Sequence, residues 1–149
     1  MKKVRIILGS KSDLQICEPI QKTLNEFGVD SELQISSAHR NPEKTAKLAQ
    51  EAEKEGFGII IACAGMAAHL PGVIASHSSL PIIGVPIAAG PLSGKDALYS
   101  IAQMPPGVPV ACMAINGVKN AALLAIQILA LSDNELAKRY KDYKESLKV

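Results

Sequence analysis

The chain has 149 residues, 48% of them hydrophobic and 20% charged, a length that suits one compact domain over residues 1–149 with its own core. Its 16 basic and 14 acidic side chains leave a net charge of +2, without the basic excess of a nucleic-acid surface, and 3% aromatics with no Trp offer no stacking platform for RNA. No stretch is apolar for long enough to span a bilayer, and the first residues, MKKVRIILGS, lack the apolar run and cleavage site of a secretory signal.

Val4 to Leu8 is a continuous β-branched apolar run, which predicts a strand buried on both faces. The polar turn Gly9-Ser10-Lys11-Ser12-Asp13 follows. A helix then carries Ile16, Ile20, Leu24 and Phe27 on one stripe and stops at Gly28; Pro19 makes it start late, near Cys17, or bend. Ser31 to Ile35 reads as the second strand. Asn41-Pro42-Glu43 starts a helix with a capping side chain, Pro at the first position and an early acid, and that helix reaches Glu55. Phe57 to Ala62 is the third strand, followed by a Gly/Ala-rich turn over Cys63 to Ala68 and a short helix. Pro81 to Val85 is the fourth strand, residues 86–95 a loop, and Asp96 to Gln103 a helix. Val108 to Ile115 is the fifth strand and Asn120 to Leu131 a helix apolar on more than one side, which predicts burial against another subunit and hence a homo-oligomer. Ser132 and Glu135 are spaced as a capping box for a polar last helix. Five buried strands alternating with helices imply an α/β fold, a parallel sheet with helices on both faces.

Ligands of such sheets bind outside the carboxyl ends of the strands. The loops there carry the polar residues that matter. Ser10 and Ser12, small hydroxyls before a helix start, suit a phosphate, and Asp13 suits vicinal ribose hydroxyls; Ser12 or Asp13 equally reads as a plain helix cap. Ser37-Ala38-His39-Arg40 joins a proton-transfer residue to a phosphate-binding guanidinium. Both precede a helix start, where cations are disfavoured, so an anion is expected there. His69, between Ala68 and Leu70, reads on its own as a structural histidine, and His77 as a solvated helix end. Three scattered histidines and no paired carboxylates give no metal-ligand set, and no phosphate-loop, dinucleotide or nucleophile-elbow motif is present. Cys17, Cys63 and Cys112 form no C-x-x-C pair and read as buried reduced thiols of a cytoplasmic protein.

The segments GSKSD (9–13), SAHRNP (37–42), AGMAAHLPG (64–72), GVP (84–86), LSGKDAL (92–98), QMPPGVPVA (103–111) and NAALLA (120–125) resemble the phosphoribosylaminoimidazole carboxylase family, in its class I, N5-carboxyaminoimidazole ribonucleotide mutase type. The resemblance covers the chain in order, apart from the C-terminal helix. It implies a flavodoxin-like three-layer sandwich, a homo-octamer with sites at subunit contacts, and a carboxyl shift on an aminoimidazole ribonucleotide. The carboxyl leaves the exocyclic nitrogen as CO2 and is recaptured at C4, with no ATP, metal, biotin or other cofactor. It implies His39 as the acid/base, Ser10, Ser12 and Arg40 on the phosphate, and Asp13 on the ribose. Ser37 and the backbone at Ala64 and Gly65 would line the base site, with the catalytic-site residue His69 in support.

Two residues depart from the family pattern: Cys63 and Met66 stand where it has glycine, which predicts a shifted loop or a narrower pocket. Ala88-Ala89-Gly90-Pro91 also departs from the commoner bacterial loop. A direct carboxylase of aminoimidazole ribonucleotide would carry Lys at Arg40 and a G-R-S-N-type third loop, so Arg40 and His69 favour the mutase. A paralogue acting on another ribonucleotide ring is the reading that Cys63 and Met66 motivate. A flavodoxin-like binding module fits less well: the third strand ends Ala62-Cys63 without a phosphoacceptor Asp, and the rim lacks aromatics for a flavin.

Overall fold

The computed structural model describes all 149 residues. In chain order the elements are β1 (Lys3–Leu8), a single 3-10 turn (Lys11–Asp13), α1 (Leu14–Glu26), β2 (Ser31–Ile35), α2 (Pro42–Glu51), β3 (Phe57–Gly65), α3 (Leu70–His77), β4 (Ile82–Ile87), α4 (Lys95–Ala102), β5 (Ala111–Cys112), α5 (Val118–Ala130) and α6 (Asn134–Ser146). The five strands are parallel in the order β2-β1-β3-β4-β5. The chain leaves β1 toward one side and returns on the other, so the switch point lies between β1 and β3. The alternation led to the parallel sheet with helices on both faces, and the flavodoxin-like strand order is the one that the family resemblance implied.

Strand side chains alternate, and that splits the apolar runs into two cores. Val4, Ile6 and Leu8 of β1 join Ile59, Ile61 and Cys63 of β3 beneath α1 and α5. Ile7, Ile60 and Ala62 face α2, α3 and α4. The register slips between Lys3 and Val4, so Gly58 is an extra residue in β3. A side chain there would sit 2.8 Å from Lys2 Cβ, which is why only glycine fits the bulge. Arg5, 3% exposed, is the one charge inside the sheet layer; it donates to the Leu48 carbonyl and to Glu32 and Glu55, and lies over the Phe57 ring.

Several boundaries differ from expectation. The first helix does not start late: α1 runs from Leu14 to Glu26 with Pro19 inside it. Pro19 and Gln15, whose carbonyl loses its donor, are both exposed, so water replaces the missing bond. β3 continues through Cys63, Ala64 and Gly65, because β4 continues opposite them to Ile87. β5 shrinks to Ala111–Cys112, since Pro109 and Pro86 each remove a ladder donor on the facing strands. The cap of α6 is Asp133, whose Oδ1 accepts from the Leu136 N–H at 2.9 Å, rather than Ser132. α5 buries Ala121, Ala122, Leu123, Ala125, Ile126 and Leu129 within the one chain, between the sheet, α1 and α6, so its apolar girth is no argument for a partner.

Gly84 packs where β4 meets α4. A Cβ there would stand 2.6 Å from Ile101 Cγ2 and 3.0 Å from Val110 Cγ1. Gly84→Ala is therefore expected to lower unfolding stability by about 1–3 kcal/mol through overpacking. A urea titration showing an unchanged midpoint would mean that the α4 side of the core has slack.

Candidate active site

The loops after β1, β2, β3 and β4 open on one cavity of about 500 Å³. Ser10, Ser12, Asp13, Ser37, His39, Arg40, Ala64, Gly65 and His69 all line it. The cavity straddles the β1/β3 switch point, where an open parallel sheet leaves a crevice.

The first loop is built around Ser10. Its Oγ accepts from the Ser12 N–H at 3.3 Å and lies 2.9 Å from Ser12 Oγ, while its carbonyl accepts from the Asp13 N–H at 3.1 Å. Ser10 thus caps the 3-10 turn. Asp13 occupies the cap position of α1 but makes no side-chain cap bond. Its carboxylate is turned into the cavity wall instead, with the residue only 6% exposed. Burial pushes the Asp13 carboxyl above its ordinary 3.8, against the opposing pull of a hydrogen bond from the Ser10 backbone. A buried carboxylate kept off its helix is held for something other than the helix.

The second loop is tied from below. Ser36 Oγ and Thr45 Oγ1, both buried, are 2.7 Å apart, and Thr45 Oγ1 also donates to the Asn41 carbonyl. Asn41 Oδ1 accepts from the Lys44 N–H, as its place before Pro42 predicts. Ser37 Oγ accepts from Arg40 N at 3.1 Å and from Arg40 Nε at 3.3 Å. No carboxylate pairs with Arg40, so its two terminal nitrogens remain for an anion.

His39 reaches from this loop across β1 to His69. The His39 Nε2 and His69 Nδ1 atoms are 2.6 Å apart, with the rings nearly perpendicular at 73°. One nitrogen must supply the proton and the other the lone pair, so the contact fixes complementary tautomers and the ring angle of His39. The reading of His69 as a merely structural histidine is corrected: it is exposed to the cavity and bonded to the other histidine there. His77 is the exposed end of α3, as expected.

The two departures from the family pattern behave differently. Cys63 lies inside β3, wholly buried and away from the cavity, so it does not narrow the pocket. Its thiol is held well above the ordinary range by the contact with Cys17 and then by burial. Met66 does line the cavity, at φ +53 and 54% exposed. Cys112 is only partly buried, and none of the three cysteines is paired. Ala89, a lining residue from the β4 loop, and Asn116 were not anticipated. Asn116 braces the β4 loop: its Oδ1 accepts from Ala88 N, and its own N–H donates to the Pro86 carbonyl. No three His, Cys, Asp or Glu side chains converge to hold a metal, and no helix is long and apolar enough to cross a membrane.

Residues 3–149 match the family model described as AIR carboxylase. The chain belongs to the AIR carboxylase family. Within it, an N5-carboxyaminoimidazole ribonucleotide mutase of Saccharolobus solfataricus is 53% identical over 148 residues, 99% of this chain and 94% of that protein. The mutase of Thermotoga maritima is 51% identical over 148 residues, covering 99% and 86%. Among solved structures, Treponema denticola PurE superposes with a TM-score of 0.87 at 34% identity, over 96% of this chain and 89% of that one. The AIR carboxylase match takes in all four rim loops and also α6, the one segment outside the motifs quoted above.

Proposed function

We propose that this AIR carboxylase family member is an N5-carboxyaminoimidazole ribonucleotide mutase of purine biosynthesis. It moves a carboxyl group from the exocyclic nitrogen to C4 of the imidazole. The observation that carries the reading is the His39–His69 pair in a cavity with an anion-seeking Arg40 and a buried Asp13, in a chain that matches mutases over its whole length.

The chemistry follows from those groups. The carbamate C–N bond breaks with its electron pair going to the exocyclic nitrogen, which takes up a proton, and CO2 is released. C4 of the electron-rich ring then attacks CO2, forming the new C–C bond. Loss of the C4 proton restores the ring, so one proton is gained and one is lost over the cycle. His39 handles both transfers, and His69 holds its ring and tautomer. Ser10, Ser12 and Arg40 grip the phosphate, Asp13 the ribose hydroxyls, and Ser37 with the backbone at Ala64 and Gly65 the base. Confinement keeps CO2 beside C4 at high effective concentration. None of these steps calls for a metal or an organic cofactor.

The proposal extends to assembly as a homo-octamer in the cytoplasm. Tyr99 and Leu92, 66% and 55% exposed, support it as apolar surface on and before α4, and three unpaired cysteines suit a reducing compartment.

Freshly prepared N5-carboxyaminoimidazole ribonucleotide should be converted rapidly to the C4-carboxylated product, followed by ultraviolet absorbance. Aminoimidazole ribonucleotide with low bicarbonate should react slowly. The reverse preference would make the protein a direct carboxylase, and silence in both would assign it another ribonucleotide. Arg40→Ala should weaken substrate binding by roughly 1.5–3 kcal/mol, about 10–100-fold in Kd. Isothermal calorimetry showing unchanged affinity would move the phosphate elsewhere.

A further inference from the structure

β4 pairs with β5 only at Ile83–Ala111 and Gly84–Cys112, so past Gly84 that edge of β4 has no strand beside it. Asn116 takes the place of one. In a parallel ladder a residue donates its N–H to the carbonyl just before its partner and accepts, with a carbonyl, from the N–H just after it. Asn116 makes both bonds about Ile87: its N–H donates to the Pro86 carbonyl at 2.8 Å, and it accepts from the Ala88 N–H at 2.9 Å. The acceptor is the side-chain Oδ1. The Asn116 backbone turns away at φ +56, and its own carbonyl accepts from the Val118 N–H at 2.8 Å. Asparagine tolerates that left-handed conformation, and its amide oxygen supplies the carbonyl that the turn has taken out of the ladder.

On its other side Ile87 pairs with Gly65 of β3. Asn116, Ile87 and Gly65 therefore stand in one row across the sheet. Gly65 and Ala89 line the cavity, while Asn116 does not. The fit at that wall is close: a Cβ on Gly65 would lie 2.9 Å from Ala89 Cβ and 3.3 Å from the Ile87 carbonyl oxygen. Ala88 is packed from the other flank, where a Cβ on Gly94 would lie 3.1 Å from Ala88 Cα. β4 ends at Ile87, so Ala88 and Ala89 have no place in the strand ladder. The Asn116 amide is what fixes the Ala88 N–H, and through it the place of Ala89 against Gly65.

We propose that Asn116 is a positioning residue for the ring end of the cavity: its side-chain carbonyl extends the β4 ladder by one bond and thereby sets the Ala89 wall against the Gly65 backbone. The inference rests on the mutase reading, which puts the imidazole at Gly65, and adds to it a residue that touches no substrate. The phosphate and ribose groups, Ser10, Ser12, Asp13 and Arg40, sit on the loops after β1 and β2 and share no hydrogen bond with Asn116. Its removal should therefore be felt by the ring and not by the ribose phosphate.

The test is calorimetry with two ligands, aminoimidazole ribonucleotide and ribose 5-phosphate, which lacks the ring. The readout is the ratio of the two affinities, which a change in the folded fraction does not move. Asn116→Gly keeps the left-handed turn and the N–H to Pro86 but loses the Oδ1 acceptor. It should weaken aminoimidazole ribonucleotide about 3–10-fold, the worth of one hydrogen bond, and leave ribose 5-phosphate unchanged. Asn116→Asp, which restores an acceptor of the same reach, should return the ratio toward wild type. Equal weakening of both ligands by Asn116→Gly, or no weakening of either, overturns the positioning role and leaves the mutase reading standing. A ratio that stays low in Asn116→Asp also overturns it, because the acceptor would then not be what matters. A wild type that binds aminoimidazole ribonucleotide no more tightly than ribose 5-phosphate overturns the mutase reading itself, and positioning with it.

Discussion

His39→Asn is expected to reduce kcat by about 10²–10⁴-fold, the usual contribution of a positioned acid/base, with substrate affinity and thermal midpoint nearly unchanged. His39 is exposed, so its removal opens no cavity in the core. Asparagine keeps a polar side chain in the loop but neither reaches His69 nor exchanges a proton near neutral pH. The loop itself is held by Ser36, Thr45, Asn41 and the Ser37–Arg40 bonds, none of which involves the His39 ring. Binding measured by calorimetry and turnover measured by absorbance should therefore separate cleanly. His69→Asn should give a smaller loss, because it removes the partner that orients the ring and leaves the proton carrier in place. Near-normal turnover by His39→Asn would remove the residue from the chemistry. An equal collapse of affinity would instead make His39 a binding group.

What the residue pattern made legible follows from how local each signal is. The strand–loop–helix alternation placed every rim loop, because a parallel sheet sends all its strand ends to one side. The Asn41-Pro42 start was readable because a cap is decided within four residues. The His39–His69 contact was not, since the partners are 30 residues apart and meet only through the register of β1, β2 and β3. An isolated reading of His69 made it structural; only the family resemblance set it at the site. The same limit applies to the two residues standing at glycine positions. Cys63 and Met66 looked alike in sequence, but strand pairing opposite Val85 buries one, while the turn after β3 puts the other on the cavity. For α5, sequence could show that the helix is apolar all round but not that α6 of the same chain covers it.

Asp13→Asn should move stability and binding in opposite directions. The carboxyl is nearly buried, has no cation beside it, and is raised above 3.8 by desolvation. A carboxyl whose folded value lies above its unfolded one binds its proton more tightly when folded. Folding is thus penalised wherever the group is ionised in both states, and the penalty disappears as pH falls through the raised folded value toward 3.8. Asparagine matches the shape without the charge, so urea midpoints at neutral pH should rise, and the gain should vanish on acidification. Affinity for the ribonucleotide should fall roughly 10–100-fold, because an amide replaces a charged acceptor of two hydroxyl hydrogen bonds. This opposition is what a binding group kept at the expense of stability must show. If Asp13→Asn were instead destabilising at neutral pH, the carboxylate would be holding the loop, through the Ser10 N–H, more than waiting for a ligand. Unchanged affinity with raised stability would leave the buried charge without a purpose in this cavity. The expected pair of shifts would tie a buried carboxylate with no cation beside it to the recognition of the substrate.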